Sequence, residues 1–116
     1  MHRDIKPANV LFHNGMAKLA DFGFCKVLNS PKDLSKSIVG SPLYMAAEVL
    51  LGKDYNANAD IWSLGCVLYE MLFKHCPFET SNMSTLITYV ETNEVEFPST
   101  FSPLSENTKG LIRQMM

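Results

Sequence analysis

An Asn-Gly pair between two short apolar runs constrains this chain more tightly than any other feature. Val10-Leu11-Phe12 lies on one side of Asn14-Gly15, and Met16-Ala17-Lys18-Leu19-Ala20 on the other. Asn and Gly accept the left-handed backbone of a tight turn, so the spacing predicts a β-hairpin. A hairpin also fixes where its outer ends go, because directly opposed residues of antiparallel strands lie about 5 Å apart. Asn9 at one end and Asp21 at the other are brought together although twelve positions separate them. Two oxygen-bearing side chains distant in sequence can then share one ion.

The rest of the chain reads as helices and loop. Residues 24–42 lack a clear period and hold several lysines and four serines, including the turn cluster Asn29-Ser30-Pro31. This predicts a polar loop closed by Ser41-Pro42. Ile61, Leu64, Leu68, Met71 and Leu72 recur at helical spacing, so a helix is predicted over 58–74, with Trp62 and Val67 widening its apolar face. A helix apolar over so much of its circumference is expected to be buried. Asn58 or Asp60 can cap or charge its start, and Pro77 is expected to stop it. A shorter helix is predicted over 84–91, and another from Glu106 to Met116 with Ser105 as its N-cap.

Composition excludes some functions. A chain of 116 residues is one domain or part of one, and a formal net charge of −2 with no basic block argues against a nucleic-acid surface. The longest apolar stretch, 61–73, contains Ser63 and Glu70 and is too short and polar to span a bilayer. Met1 opens directly onto charged residues, so no secretory signal is expected. Cys25, Cys66 and Cys76 form no Cys-x-x-Cys pair, and an odd count suits reduced thiols in the cytoplasm or nucleus. Cys25 is expected to be a small, partly buried residue rather than a reactive one.

The two ends of the hairpin sit inside longer strings. His2-Arg3-Asp4-Ile5-Lys6-Pro7-Ala8-Asn9 precedes it, and Asp21-Phe22-Gly23 follows. Together they resemble the catalytic loop and the metal-binding loop of eukaryotic serine/threonine protein kinases. Gly40-Ser41-Pro42-Leu43-Tyr44-Met45-Ala46-Ala47-Glu48 resembles the family's substrate-facing loop, with Ala47 where proline is usual. Asp60-Ile61-Trp62-Ser63-Leu64-Gly65 resembles the start of its long central helix. Asp-Phe-Gly-Phe-Cys-Lys and Gly-Ser-Pro-Leu-Tyr-Met-Ala are also similar to strings in the Unc-51-like kinases that start autophagy.

The resemblance implies an α+β fold. It would be the mostly α-helical large lobe of the kinase fold, with a short catalytic-loop hairpin and the small lobe missing, so that residues 1–116 form a partial kinase domain. It implies transfer of the γ-phosphoryl of ATP to protein Ser/Thr hydroxyls, with Mg²⁺. Asp4 would accept or orient the substrate hydroxyl proton. Lys6 would neutralise the γ-phosphate, and Ser41 would hydrogen-bond both. Asn9 and Asp21 would hold the metal, and Leu11 would floor the adenine, although Leu11 alone reads as strand core. Asp60 would hold the catalytic-loop backbone, where otherwise it is a charge at a helix start. His2 and Phe22 would join an apolar stack, and Glu48 would pair with an arginine that the family places beyond position 116. Arg113 comes too early for that role.

Arg3 and Lys26 would form a basic pocket for a phosphate added by an upstream activating kinase. Ser37 is the favoured acceptor, with Ser35 and Ser30 as rivals. Glu70 falls where some kinases contact a substrate arginine and others keep Glu for packing. No Gly-rich loop, strand lysine or hinge is present, so these residues alone are expected to be inactive and poorly soluble. The competing expectation is a catalytically inactive truncated module that acts by protein–protein binding.

Overall fold

Asn14 and Gly15 both adopt positive φ, 51° and 75°, and close the predicted hairpin. The strands are β1, Val10–His13, and β2, Met16–Leu19, with Val10 opposite Leu19 and His13 opposite Met16. The computed structural model describes residues 1–30, 32–92, 94–98 and 104–116. Pro31, part of the predicted turn cluster, lies outside the described residues. Among the described residues the two strands form one antiparallel sheet, and four α-helices follow. These are α1, Ala47–Leu50, α2, Asn58–Phe73, α3, Met83–Thr92, and α4, Glu106–Met115. The architecture is α+β, as expected.

The hairpin corrects one reading. Leu11 is not strand core: it is 54% exposed, and Phe12, Met16 and Leu19 stand open beside it. A two-stranded ribbon buries little by itself, so apolar residues on its faces stay in solvent unless another layer covers them.

The central helix α2 forms where its periodicity places it, but its ends and faces differ from expectation. Asn58 lies inside the first turn, the helix starts from Ala57 without a side-chain cap, and just ahead of it Asn56 Oδ1 accepts the Asn58 N–H at 2.8 Å. The helix stops at Lys74, which turns left-handed at φ 69°, three residues before Pro77. The buried face carries Ala59, Ser63, Cys66, Val67, Tyr69 and Phe73, whereas Ile61 is 47% and Met71 61% exposed. Apolar residues surround α2 almost completely, so spacing could locate the helix but not rank its faces.

The core collects between the helices, with α4 against α2 and α1 against α3. Met45, Val49, Tyr55, Phe73, Phe78, Leu86, Val90 and Ile112 belong to one buried cluster. Ser105 caps α4, accepting the Thr108 N–H at 3.2 Å. The loop before α1 is irregular, but it is tied down where Ser35 and Tyr55 exchange backbone hydrogen bonds of 2.8 and 3.0 Å. A 3₁₀ turn at Pro42–Tyr44 then leads into α1. Ser63 on α2 anchors that turn by donating to the Tyr44 carbonyl at 2.7 Å. No described helix is long and apolar enough to cross a membrane.

Candidate active site

Asp4 is the best-connected side chain in the chain's first segment. Its backbone is positioned from below by α2. The Asp60 carboxylate accepts the N–H of His2 at 2.7 Å and of Arg3 at 2.8 Å. Arg3 sits at φ 71°, a left-handed conformation that a non-glycine residue adopts only when held. The two Asp60 bonds are the means of holding it, and Asp4 follows directly. A lone helix-start charge would not need this geometry.

The Asp4 carboxylate is 5% exposed and fully engaged on one side. Its Oδ2 faces the Lys6 ammonium at 2.9 Å and accepts from the Asn9 side-chain amide at 3.1 Å. Its Oδ1 accepts from the Ser41 hydroxyl at 2.8 Å. Lys6 Nζ also donates to Ser41 Oγ at 2.9 Å, so the three side chains close a ring. Burial pushes the carboxyl's pKa upward, but the bonds from Lys6, Ser41 and Asn9 and the Lys6 charge outweigh it and hold the pKa below the ordinary 3.8. Asp4 is therefore ionised at neutral pH and ready to accept. A carboxylate has about four lone-pair positions, and Oδ1 carries a single described donor, which leaves room for an incoming hydroxyl.

At the mouth of the hairpin, the Ala20 N–H donates to the Asn9 carbonyl at 2.9 Å and extends the ladder by one pair. Asp21 follows at once, with φ 61°, and is exposed. Its Oδ1 accepts only the Gly23 N–H among described donors, at 3.2 Å. The Asn9 amide nitrogen is committed to Asp4, bonding its backbone oxygen at 2.8 Å as well as Oδ2. That orientation leaves the Asn9 amide oxygen as the available atom. An amide oxygen and a carboxylate are hard donors, and this set fits Mg²⁺ with water and phosphate completing the shell. His2 meets Phe22 edge-to-face at 5.2 Å, and its Nε2 contacts the Ala20 carbonyl at 3.0 Å.

The remaining candidate residues lie around this centre. Arg3 donates to the Phe24 carbonyl and, at 3.3 Å, to the Ser35 hydroxyl. Lys26 donates to the Leu34 carbonyl at 2.8 Å. Both cations thus converge on 34–35 rather than on Ser37, which is exposed and gives its carbonyl to Tyr55 Oη at 2.6 Å. Arg113 does not approach Glu48; its guanidinium lies 4.9 Å from the Phe97 ring centroid. Cys25 is exposed, not partly buried, and its thiol makes a 3.7 Å contact with the His2 carbonyl.

Sequence reasoning missed two links. Asn9 braces Asp4 across five residues, which a 3₁₀ turn started by Pro7 makes possible. Tyr44 ties the 41–44 turn to α2 by donating to Glu70 at 2.6 Å, and burial together with that bond pushes its phenol well above the ordinary 10. The pattern of a tyrosine three residues after Ser41 carries no local signal for a partner 26 positions away.

Comparison with known proteins gives a consistent picture. The family model described as "Protein kinase domain" matches residues 1–116. Serine/threonine-protein kinase Nek5 of Homo sapiens is 48% identical over 89 residues, covering 75% of this chain and 13% of that protein. Serine/threonine-protein kinase 36 of Pongo abelii is 39% identical over 114 residues, 97% of this chain and 9% of that protein. Serine/threonine-protein kinase ATG1 of Debaryomyces hansenii is 39% identical over 137 aligned positions, all of this chain and 15% of that protein. The chain therefore spans between about a tenth and a seventh of the length of these relatives.

Proposed function

The chain belongs to the protein kinase domain family, and on that premise we propose that the whole protein transfers the γ-phosphoryl of ATP to Ser or Thr hydroxyls of protein substrates. One observation carries the reading: an ionised, buried Asp4 closed into a ring with Lys6 and Ser41. The hairpin and helices form part of a mostly helical large lobe. Asp4 orients the substrate hydroxyl through its remaining Oδ1 position. A carboxylate held below its ordinary pKa is a weak base, so its first task is alignment, and it takes the proton as the bond to phosphorus develops. Lys6 is placed to offset charge on the phosphoryl group, and Ser41 fixes the distance between acid and amine. Asn9 and Asp21 would hold Mg²⁺, which when bound neutralises and orients the phosphates. Leu11, exposed beside this mouth, offers an apolar surface for the adenine.

We also propose regulation by an upstream kinase. Ser37 is exposed whereas Ser35 is buried and bonded, so a modifying enzyme reaches Ser37 first. A phosphate there would draw Arg3 and Lys26 away from their present backbone partners. Phosphomapping of the active full-length protein is expected to find Ser37 modified. The three free cysteines support a cytoplasmic or nuclear setting.

The test of the activity is a phosphoryl-transfer assay on the full-length protein with ATP and Mg²⁺. Asp4→Asn is expected to lower turnover by roughly 100-fold or more. Equal turnover in both proteins would remove Asp4 from the reaction.

A further inference from the structure

Two left-handed residues face each other at the centre of this site. Arg3, at φ 71°, turns its carbonyl toward Gly40, which sits at φ 112°. A β-carbon at position 40 would stand 2.3 Å from the Arg3 carbonyl oxygen and 3.5 Å from its carbon. No side chain survives a contact that short, so one of the two backbones would have to move. The Arg3 side cannot yield easily. Its N–H is held by Asp60, and its guanidinium by the Phe24 carbonyl and the Ser35 hydroxyl. The 40–41 side is joined to the catalytic segment, among the described bonds, through Ser41 with Asp4 and Lys6, and otherwise through the Ser41 carbonyl's bond from the Tyr44 N–H in its own turn.

We propose that Gly40 is a positioning residue: its missing side chain lets the 40–41 backbone lie against Arg3, and this close approach is what sets the Ser41 hydroxyl on Asp4. The catalytic consequence rests on the phosphoryl-transfer reading; the geometric claim does not. The same absent β-carbon would stand 3.6 Å from Asp4 Oδ1, the oxygen with a free acceptor position. A methyl group there has two local effects. It pushes Ser41 away from Asp4 and Lys6, and it crowds the oxygen that must receive a hydroxyl. Gly40 touches no reacting atom and acts through Ser41.

The experiment compares Gly40→Ala, Ser41→Ala and the double variant in the full-length protein. Gly52→Ala is the control for left-handed strain alone, since Gly52 has φ 65° and a β-carbon there meets only the movable end of Ile38 at 3.5 Å. Turnover is expected to fall about 100-fold in Gly40→Ala, the scale of a 1 Å misplacement, with the KM for ATP little changed. The double variant is expected to lose no more than the worse single one, because both break one contact. A crystal structure of Gly40→Ala should show the Ser41 hydroxyl moved from 2.8 Å to beyond hydrogen-bond reach of Asp4 Oδ1, with the Asp4–Lys6 pair still in place. The other groups facing Asp4 are unchanged by either substitution: the Lys6 ammonium, the Asn9 amide and the His2 imidazole, which accepts the Asp4 N–H at 3.3 Å.

Several results overturn the inference. A Ser41 hydroxyl still bonded to Asp4 in the Gly40→Ala structure does so, as does an additive loss in the double variant. So does a Gly40→Ala protein that fails to fold, because the predicted damage is confined to 40–41. If Ser41→Ala keeps full turnover, the contact that Gly40 sets has no catalytic consequence, and the inference also falls. Should the unmodified protein show no phosphoryl transfer, the functional reading fails, while the position of the Ser41 hydroxyl in the Gly40→Ala structure still decides the role of Gly40.

Discussion

Asp60→Asn is the substitution that bears hardest on this site, because it exchanges one oxygen for an NH₂ group and keeps the shape. Asp60 accepts two backbone N–H bonds, from His2 at 2.7 Å and Arg3 at 2.8 Å, both partly buried. Hydrogen bonds to a charged acceptor contribute about 1.5–3 kcal/mol each. Asparagine keeps one oxygen and so retains one weaker, neutral bond. Its NH₂ group then faces the second N–H, leaving a partly buried donor unsatisfied at about 1–3 kcal/mol. The local loss comes to about 2–4 kcal/mol. Against it stands the strain at Arg3, whose φ of 71° costs about 1–2 kcal/mol. The remaining restraint is then comparable with the strain it must hold.

Arg3 is therefore expected to relax toward negative φ and carry the Asp4 carboxylate out of register with Lys6 and Ser41. Native-state amide exchange reads this directly. The His2 and Arg3 amides should exchange roughly 30- to 1,000-fold faster in Asp60→Asn, at one decade per 1.4 kcal/mol. Amides of α3, which make no contact with Asp60, should keep their rates. Unchanged exchange at His2 and Arg3, with the substitution confirmed, would refute the view that Asp60 holds the segment.

Three further outcomes are expected. Lys6→Met removes both the charge and a donor from Asp4, so its carboxyl pKa should rise. A depressed carboxylate contributes stability that is present above its unfolded value and lost as pH falls through the folded one, so the acid end of the Tm–pH curve should move to higher pH in Lys6→Met. Native thiol labelling should modify Cys25 first, because it is exposed, whereas burial pushes the Cys66 thiol up to about 12; rapid labelling of Cys66 would contradict the packing of α2. Ile112 is 0% exposed where α4 meets the core, so Ile112→Ala should cost about 2–5 kcal/mol in denaturant unfolding, without changing the Asp4 titration.

What was legible in the sequence follows from how local each determinant is. Asn14-Gly15 writes the hairpin into two residues, and the two-residue turn sets the register of the strands it joins, with His13 opposite Met16. The position of Asn9 beside Ala20 and Asp21 follows from that turn alone. The cap of α4 is nearly as readable, since Ser105 stands where an N-cap must, while the start of α2 is ambiguous because Asn56, Asn58 and Asp60 all carry the same signal. Faces were the weak point. A residue's period fixes its angle around α2 but not which angle meets the core, and a helix that exposes Ile61, Leu64 and Met71 while burying Val67, three residues after Leu64 and four before Met71, gives no polar stripe to break the tie. Only tertiary contacts choose, and here they choose the side that lets Ser63 reach the Tyr44 carbonyl and Asp60 reach His2 and Arg3. The orientation of α2 is thus set by its polar residues as much as by its apolar ones. The same bonds that decide which face is buried also place Asp4 and Ser41, so the packing of this helix and the geometry of the site are a single solution.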